Sequence, residues 1–487
     1  MPAPAPLPAF EMPVAFGVDA DTGQTLPAID PATLASLGHG EQNPNELNER
    51  ANPADIGFAL TGELDPNDLS QAGWGIVFTP NVDPGIRAAL QPLIDRRKQQ
   101  VNDDLLFKIF EGAEGVAPGD DARTWLARKG VTMQVVDSRM GVPYYLLLVG
   151  SPEEISFEFQ YSLDIFWSVG RLHFPEVADY ARYVESVVAY EKSPQVPRAR
   201  QIAVFAPRTE GDPATQLFAD RVAKELVNGS QIAGPIGKRQ KFLLRSAIGE
   251  GATKSALSQI LSDSWPGRAP ALLISGSHGM GFRADDSRLA GMQGAPVCQD
   301  WAGPGSPINE QHWFSAADLG ADNSFHGLIH FFFACYGGGC PKFDTFQRLN
   351  NQPKQIAPST MLARLPQAML THKSAGALAT IAHVDRAWGY SLVSDRGGAQ
   401  TQGFRDVLGS VLRGDRVGQA MDRFNVRWAG LSSELLESLN DKQRGKAVSD
   451  AELASRWVAR DDARNYIVFG DPAVRMRQED MPEALSA

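Results

Sequence analysis

Two short apolar segments in the second half of the chain limit its possible folds, because turn residues bound each of them and neither alternates apolar with polar side chains. Residues 271–279 read Ala-Leu-Leu-Ile-Ser-Gly-Ser-His-Gly, and residues 327–339 read Gly-Leu-Ile-His-Phe-Phe-Phe-Ala-Cys-Tyr-Gly-Gly-Gly. Such runs are typical of strands buried on both faces of a parallel sheet. The carboxyl ends of these strands form a ligand crevice. We therefore expect His278 and Cys335 to lie side by side there.

Strands alternate with helical patterns through residues 200–480, and this alternation predicts βαβ units in a doubly wound, mostly parallel α/β sheet flanked by helices. The last predicted strand is expected to close an edge of the sheet. The predicted strands are 201–205, 240–244, 271–275, 325–334, 376–381 and 466–469, and the predicted helices include 214–227 and 254–262.

A second α/β pattern precedes this one, in residues 51–195. This part has no cysteine, and neither His39 nor His173 ends an apolar strand, so we predict a non-catalytic domain that is a degenerate copy of the same architecture. Residues 1–50 are predicted to form a solvated Pro- and Ala-rich arm, and residues 481–487 a C-terminal tail. The predicted strands of the second pattern are 75–78 and 144–149, and its predicted helices are 86–100, 157–169 and 176–191.

Cysteine and histidine at one edge of a sheet can form a nucleophile and its base. A thiol near its free pKa is mostly protonated, and a neighbouring imidazole can generate the reactive thiolate. The glycines that follow both residues leave room for a substrate and free N–H groups for an oxyanion. We predict Cys335 as the nucleophile and His278 as the acid/base, against the alternative of a buried structural cysteine. No third, orienting carboxylate is identifiable from the sequence.

An apolar block ending in His-Gly, followed by one ending in Cys, resembles the caspase-like cysteine peptidases. Residues 333–337, Phe-Ala-Cys-Tyr-Gly, keep the Ala-Cys-x-Gly part of the caspase signature. Residues 379–386 (Ala-Thr-Ile-Ala-His-Val-Asp-Arg) and 466–475 (Tyr-Ile-Val-Phe-Gly-Asp-Pro-Ala-Val-Arg) are most similar to the gingipain and CHAT-type bacterial branch. The resemblance covers residues 201–477.

The resemblance implies a caspase-like catalytic domain behind a pseudo-caspase-like one, and a cysteine endopeptidase that needs no cofactor and no metal. It also implies an oxyanion site made by the N–H groups of Gly279 and Cys335. The expected partners are a protein or peptide substrate and an activating partner or ligand. Relatives of this kind act in regulated bacterial proteolysis, including antiviral defence.

Three residues are predicted to bind the substrate: Ser277, Asp385 and Trp388. Asp385 resembles a pocket residue of the CHAT-type enzymes, and a carboxylate in a pocket would favour Arg or Lys before the cleaved bond. The alternative is a local salt bridge from Asp385 to Arg386 or Arg396.

Other cysteines and histidines compete for these roles. Cys340 and Cys298 are predicted to be spectators, since a Cys-x4-Cys pair alone is weak support for zinc. His383 is the stronger rival base, and His330 is predicted to be a hydrogen-bonded core histidine. His326 lies before the apolar run at residues 328–333.

Composition excludes several classes of protein. The net charge of −11 argues against nucleic acid or an anionic membrane as partner. Three cysteines make a disulfide framework improbable, and no signal peptide or bilayer-spanning run is recognisable. We therefore predict a cytoplasmic protein. Two other functions stay open, a catalytically silent scaffold and a Cys-His hydrolase for a small amide or ester.

Overall fold

The computed structural model describes residues 14–27, 60, 64–230, 233–262, 269–349, 352–392 and 401–484. Ten strands form the main sheet. They are β1 (Trp74–Phe78), β2 (Phe107–Phe110), β3 (Tyr145–Val149), β4 (Ser168–Leu172), β5 (Gln201–Ala206), β6 (Leu243–Ile248), β7 (Leu272–Gly276), β8 (Ile329–Phe333), β9 (Ala379–His383) and β10 (Tyr466–Phe469).

The strands lie in the order β2-β1-β3-β4-β10-β9-β8-β7-β5-β6. All neighbouring pairs of this sheet are parallel except β9 with β10, which is antiparallel. Every residue of β7, β8, β9 and β10 is buried, whereas the edge strands β2 and β6 are mostly half-exposed. The predicted mixed α/β architecture with a large, mostly parallel sheet is confirmed.

Helices flank the sheet. They are α1 (Leu69–Ala72), α2 (Pro84–Ala89), α3 (Gln91–Val101), α4 (Ala122–Arg128), α5 (Phe157–Asp164), α6 (Val177–Lys192), α7 (Pro213–Leu217), α8 (Lys224–Asn228), α9 (Lys254–Ile260), α10 (Leu289–Met292), α11 (Arg364–Leu370), α12 (Thr401–Arg413), α13 (Val417–Ala420), α14 (Asp422–Gln443) and α15 (Asp450–Arg464). A π-helical turn, Phe218–Ala223, joins α7 to α8. In the part of the chain that the structure describes, no helix has both the length and the apolar character needed to cross a bilayer.

Short strands complete the fold. Gly17–Asp19 pairs in parallel with Gly279–Gly281, and Gly339–Cys340 pairs with Met361–Leu362. After the cysteine, Phe343–Leu349 and Gln352–Gln355 form a hairpin.

The prediction that residues 466–469 close an edge of the sheet is wrong. These residues form β10, which lies in the middle of the sheet between β4 and β9. A four-residue apolar strand has the same sequence pattern at the edge of a sheet as in its centre, so the pattern does not predict the position of the strand in the sheet. Two strands were also missed: β2, and β4, which begins where the predicted helix 157–169 ends. The strand predicted at 240–244 lies at Leu243–Ile248.

β10 joins the two predicted halves of the chain. It comes from the second half and pairs with β4 of the first, with Val468 opposite Gly170 and Phe469 opposite Arg171. The described strands of both halves therefore form one continuous sheet. The division into a non-catalytic and a catalytic domain stays a prediction.

A buried ion pair locks the same junction. Asp471, in the turn after β10, accepts a hydrogen bond of 2.7 Å from Nε of Arg97, and both side chains are fully buried. Nε1 of Trp74 donates to the other carboxylate oxygen at 3.0 Å. Arg97 also pairs with Glu191 at 2.7 Å. Asp471 of the Gly-Asp-Pro sequence at residues 470–472 thus links the first half of the chain to β10 through buried charge.

Asp471→Ala should lower the free energy of unfolding by about 3 kcal/mol or more, because it leaves the buried Arg97 guanidinium without this partner. Urea denaturation of the purified protein measures this change. The control is Asp285→Ala, which removes an ion pair with Arg283 whose side chains are 67% and 75% exposed, and which should leave the unfolding midpoint unchanged. Equal midpoints for Asp471→Ala and wild type would contradict the proposed link.

Candidate active site at the carboxyl edge of the sheet

The pairing of β7 with β8 brings His278 and Cys335 to one level of the sheet. Gly276 is paired with Phe333, and each candidate residue follows two positions later. The backbones stay close beyond the strands, because a Cβ added to Gly279 would lie 1.9 Å from the carbonyl oxygen of Cys335. Only glycine fits at this position.

His278 is held by a carboxylate. Its Nε2 lies 2.8 Å from Oδ2 of Asp212, and both side chains are fully buried. Asp212 caps α7 by accepting from the N–H of Ala214 at 3.2 Å, and it also accepts from the hydroxyl of Thr215 at 2.8 Å. Nδ1 of His278 has no hydrogen-bond partner among the described residues. The imidazole is therefore fixed through one nitrogen, and the other remains available.

The pKa of Asp212 reflects two opposing effects. Burial acts to raise it, but the charge of His278 and the hydrogen bonds from His278, Thr215 and Ala214 outweigh burial and lower it. Asp212 is thus a carboxylate at neutral pH. The sequence analysis did not identify it. The available signal was its place after β5, the neighbour of β7 in the sheet, in an Asp-Pro helix start.

The thiol of Cys335 is fully buried. The N–H of Ala387 donates to Sγ at 3.2 Å. Burial raises the pKa of the Cys335 thiol well above its ordinary value, so the thiol is neutral in this arrangement. The next residue, Tyr336, has a φ of 59°. This left-handed turn, rare for an aromatic residue, ends the strand sharply just after the cysteine.

Two backbone N–H groups beside the thiol converge on one oxygen atom. The N–H of Gly279 and the N–H of Cys335 each donate to the carbonyl oxygen of Phe16, both at 2.9 Å. These are the two groups that the resemblance assigned to an oxyanion site. Their geometry is suited to hold a carbonyl oxygen next to Sγ.

Residues 14–20, which we call the cleft segment, supply that carbonyl. Ala15, Phe16, Gly17 and Val18 are buried, in contrast to the solvated arm that the sequence predicted. Residues 1–50 are rich in Pro and Ala and show no sustained periodicity, so the sequence does not reveal that one short apolar stretch among them packs in the cleft. The rest of the predicted arm, residues 1–13 and 28–50, lies outside the described residues.

Ser277 and Trp388, two of the predicted substrate-binding residues, are both buried, and Trp388 meets the cleft segment through its backbone. Ser277 is buried, and its hydroxyl donates to the carbonyl oxygen of His278 at 2.9 Å. Trp388 is fully buried and pairs through its backbone with Ala15. Its N–H donates to Oδ1 of Asp462 at 2.8 Å, so a buried carboxylate fixes this wall of the cleft.

Asp385, the third of these residues, lies in a buried cluster of charges. Its Oδ1 accepts from the N–H of Arg386 at 2.8 Å, and the guanidinium of Arg386 binds Oδ2 of Asp344 at 2.5 Å. Burial and the neighbouring Asp344 carboxylate raise the pKa of Asp385 to about 6. Asp385 thus meets Arg386 through a backbone N–H, and Arg396, the other predicted partner, lies outside the described residues. The substrate-binding role of Asp385 stays a prediction.

The three histidines that compete with His278 for the base role each have a different hydrogen-bond partner. Nε2 of His383 lies 3.1 Å from Oδ1 of Asp462, and both side chains are fully buried. Nε2 of His330 shares a 2.7 Å hydrogen bond with the hydroxyl of Ser275, as a core histidine should. Nε2 of His326 lies 3.1 Å from the carbonyl oxygen of Ser186.

Cys298 and Cys340 are buried free thiols, like Cys335. Sγ of Cys340 lies 3.5 Å from Nε2 of Gln293, and Sγ of Cys298 lies 3.7 Å from the carbonyl oxygen of Pro296. Their spectator role stays a prediction.

Burial lowers the pKa of His330 to about 3, whereas a histidine of the unfolded chain titrates near 6.5. Between these values the unfolded chain binds more protons, so this residue costs stability as the pH falls below about 6.5, by up to about 1.4 kcal/mol per pH unit. His330→Gln should therefore lose less stability than wild type between pH 7 and pH 5. Urea denaturation at both pH values measures this, and parallel losses would contradict it.

No protein-family model and no curated protein matches the sequence. Solved structures do match. One, described as the structure of a protease, has a TM-score of 0.49 and 14% identity, over 87% of this chain and 81% of that chain. The Arg-specific cysteine proteinase gingipain R (RgpB) has a TM-score of 0.44 and 12% identity, over 84% and 79%. A complex of the pro- and mature domains of RgpB from Porphyromonas gingivalis has a TM-score of 0.46 and 14% identity, over 83% and 80%.

Proposed function

We propose that this chain is a cysteine endopeptidase of caspase-like type, with Cys335 as nucleophile and His278 as acid/base. One observation carries the proposal. The N–H groups of Gly279 and Cys335 both point to a single carbonyl oxygen beside the thiol. This is the arrangement that stabilises the oxyanion formed when a nucleophile attacks a peptide carbonyl.

The proposed reaction uses these groups in two steps. Nδ1 of His278 takes the proton of the thiol, and Sγ of Cys335 attacks the substrate carbonyl carbon while the two N–H groups hold its oxygen. His278 then gives the proton to the departing amine, which leaves a thioester. Water, activated by the same imidazole, hydrolyses the thioester and frees the new carboxylate. Asp212 keeps the imidazole oriented, as a positioning residue.

The shape of the cleft favours a peptide over a small amide or ester. Two walls, residues 279–281 and 387–389, offer backbone groups that bind an extended main chain, since both already pair with the cleft segment. Main-chain pairing of this kind is how extended peptides add to exposed strands. A small ester would leave these backbone groups without partners.

Cys335→Ala should abolish hydrolysis of fluorogenic peptide amides, and His278→Gln should lower kcat by about 10²- to 10⁴-fold, because it removes the acid/base. The peptide panel carries Phe, Arg, Lys or Asp before the cleaved bond. Intact mass after treatment with a peptidyl chloromethyl ketone locates the reactive thiol.

The matched control for that experiment is Cys298→Ala, which removes another buried thiol and should keep wild-type turnover and labelling. Turnover that survives in Cys335→Ala would assign the nucleophile elsewhere. A protein that neither turns over nor becomes labelled, even after residues 14–20 have been displaced from the thiol by mutation, would favour the silent scaffold. Faster hydrolysis of simple esters than of any peptide would favour the small-substrate hydrolase.

Asp212→Asn should lower kcat by about 10- to 100-fold, because it replaces a charged hydrogen bond to His278 by a neutral one. KM should change little, since Asp212 does not touch the substrate. The control is Asp220→Asn on the same helical segment, which loses partly exposed pairs with Arg208 and Lys224 and should keep kcat within about twofold. A fall in kcat of equal size in both variants would mean a structural effect.

A further inference from the structure

The chain before Gly17 is held in the cleft like an added strand. The N–H of Phe16 donates to the carbonyl oxygen of Ala387 at 2.9 Å, and the N–H of Gly389 donates to the carbonyl oxygen of Val14 at 2.9 Å. The chain after Phe16 pairs in parallel with the other wall, Gly279–Gly281. The cleft segment therefore crosses the whole candidate site in an extended conformation.

One peptide bond of this segment lies at the thiol. The carbonyl oxygen of Phe16 occupies the two N–H groups beside Cys335. On the other side of the bond, a Cβ on residue 17 would lie 3.1 Å from Cβ of Cys335. The bond between Phe16 and Gly17 is thus the one presented to Sγ.

The side chain of Phe16 shows what the neighbouring pocket accepts. Phe16 is fully buried, with its ring edge-to-face against Phe333 at 4.7 Å and tilted against His278 at 6.1 Å. Phe333 itself stacks on Phe218 at 5.5 Å and meets Phe404 edge-to-face at 6.0 Å. This aromatic surface recognises a large apolar side chain and would desolvate a cation.

We propose that the cleft segment occupies the groove of the peptide substrate, with Phe16 in the position that precedes the cleaved bond, so that the enzyme selects a large apolar residue there. The inference rests on the proposed peptidase reaction and names its substrate class. It replaces the Arg or Lys preference that the sequence suggested through Asp385, whose carboxylate lies with Arg386 and Asp344.

Through the same contacts the intact chain inhibits its own proposed active site. A segment tethered to its own site competes at an effective concentration of about millimolar, so a peptide in solution enters only when the segment leaves. While the segment stays, the thiol of Cys335 is buried.

Gly17→Val tests the occupancy of the groove. A Cβ on residue 17 would lie 3.1 Å from Cβ of Cys335, and 2.4 Å from Cδ1 of Leu26, a side-chain end that can move aside. The γ-methyl groups of valine add to the contact with Cys335, so the valine should displace the cleft segment while the sheet stays folded. We expect alkylation of Cys335 by iodoacetamide, followed by intact mass, to become at least about tenfold faster than in wild type. The matched control is Gly251→Val at an exposed glycine with open space around it, which should keep the wild-type rate.

The same variant tests the pocket. We expect Gly17→Val to cleave a fluorogenic peptide with Phe before the cleaved bond with a kcat/KM about 10- to 100-fold above that of the Arg peptide, the factor expected from burying an aromatic ring. A faster Arg or Lys peptide would overturn the pocket assignment. If the wild-type protein cleaves its own cleft segment, the cut should fall between Phe16 and Gly17. A cut by Cys335 at another bond of the segment would overturn the proposed position of Phe16 before the cleaved bond.

Two outcomes separate this inference from the proposed function. Equal rates of Cys335 alkylation in wild type and Gly17→Val would overturn the proposal that the cleft segment occupies the substrate groove, whichever peptides the enzyme cleaves. Rapid alkylation without cleavage of any peptide would overturn the peptidase, and with it the substrate class. If Gly17→Val does not fold, Phe16→Asp replaces it, because a carboxylate cannot stay buried against the ring of Phe333, and the same two readouts apply.

Discussion

Parallel pairing of β7 with β8 is the constraint on which the site depends. Side chains in a strand project in turn to opposite faces, so a shift of this register by one residue would separate His278 from Cys335 across the sheet. The buried hydrogen bond of 2.7 Å between Ser275 of β7 and His330 of β8 helps to hold this register, because a slip would leave both polar groups buried without this partner. The close approach of Gly279 to the carbonyl oxygen of Cys335 then fixes the two turns beyond the strands.

Buried carboxylates hold the loops around that edge. Asp212 fixes the imidazole of His278, Asp462 holds both His383 and the N–H of Trp388, and Asp344 pairs with Arg386. Asp212 acts on the loop after β7, and Asp462 and Asp344 both act on the loop after β9. Charge-assisted hydrogen bonds therefore hold both walls of the cleft, in a medium where these bonds are strong. Such a network costs desolvation and in return specifies one arrangement of the loops.

The sequence predicted those parts of the structure that depend on local pattern. The runs ending at His278 and Cys335 are continuous, apolar and bounded by glycine, and such runs form buried strands wherever they lie. Asp212 and the cleft segment depend instead on contacts between residues far apart in the chain. Between Asp212 and His278 the chain forms α7, α8, β6, α9 and β7 with the segments that join them, and Phe16 meets Ala387 across most of the sequence. The sequence around either residue does not indicate which distant residue it contacts.

The central position of β10 has a consequence for the order in which the chain assembles. β4 and β9 each have one edge that only this strand covers, and it is the last of the ten to leave the ribosome during synthesis. Until β10 is made, the blocks of sheet that end at β4 and at β9 each have an unpaired, apolar edge, and such edges promote aggregation with other chains. The two blocks of the sheet therefore join only when β10 inserts between them, late in synthesis. The newly made protein depends on rapid insertion of these four residues or on a chaperone that covers the exposed strand edges.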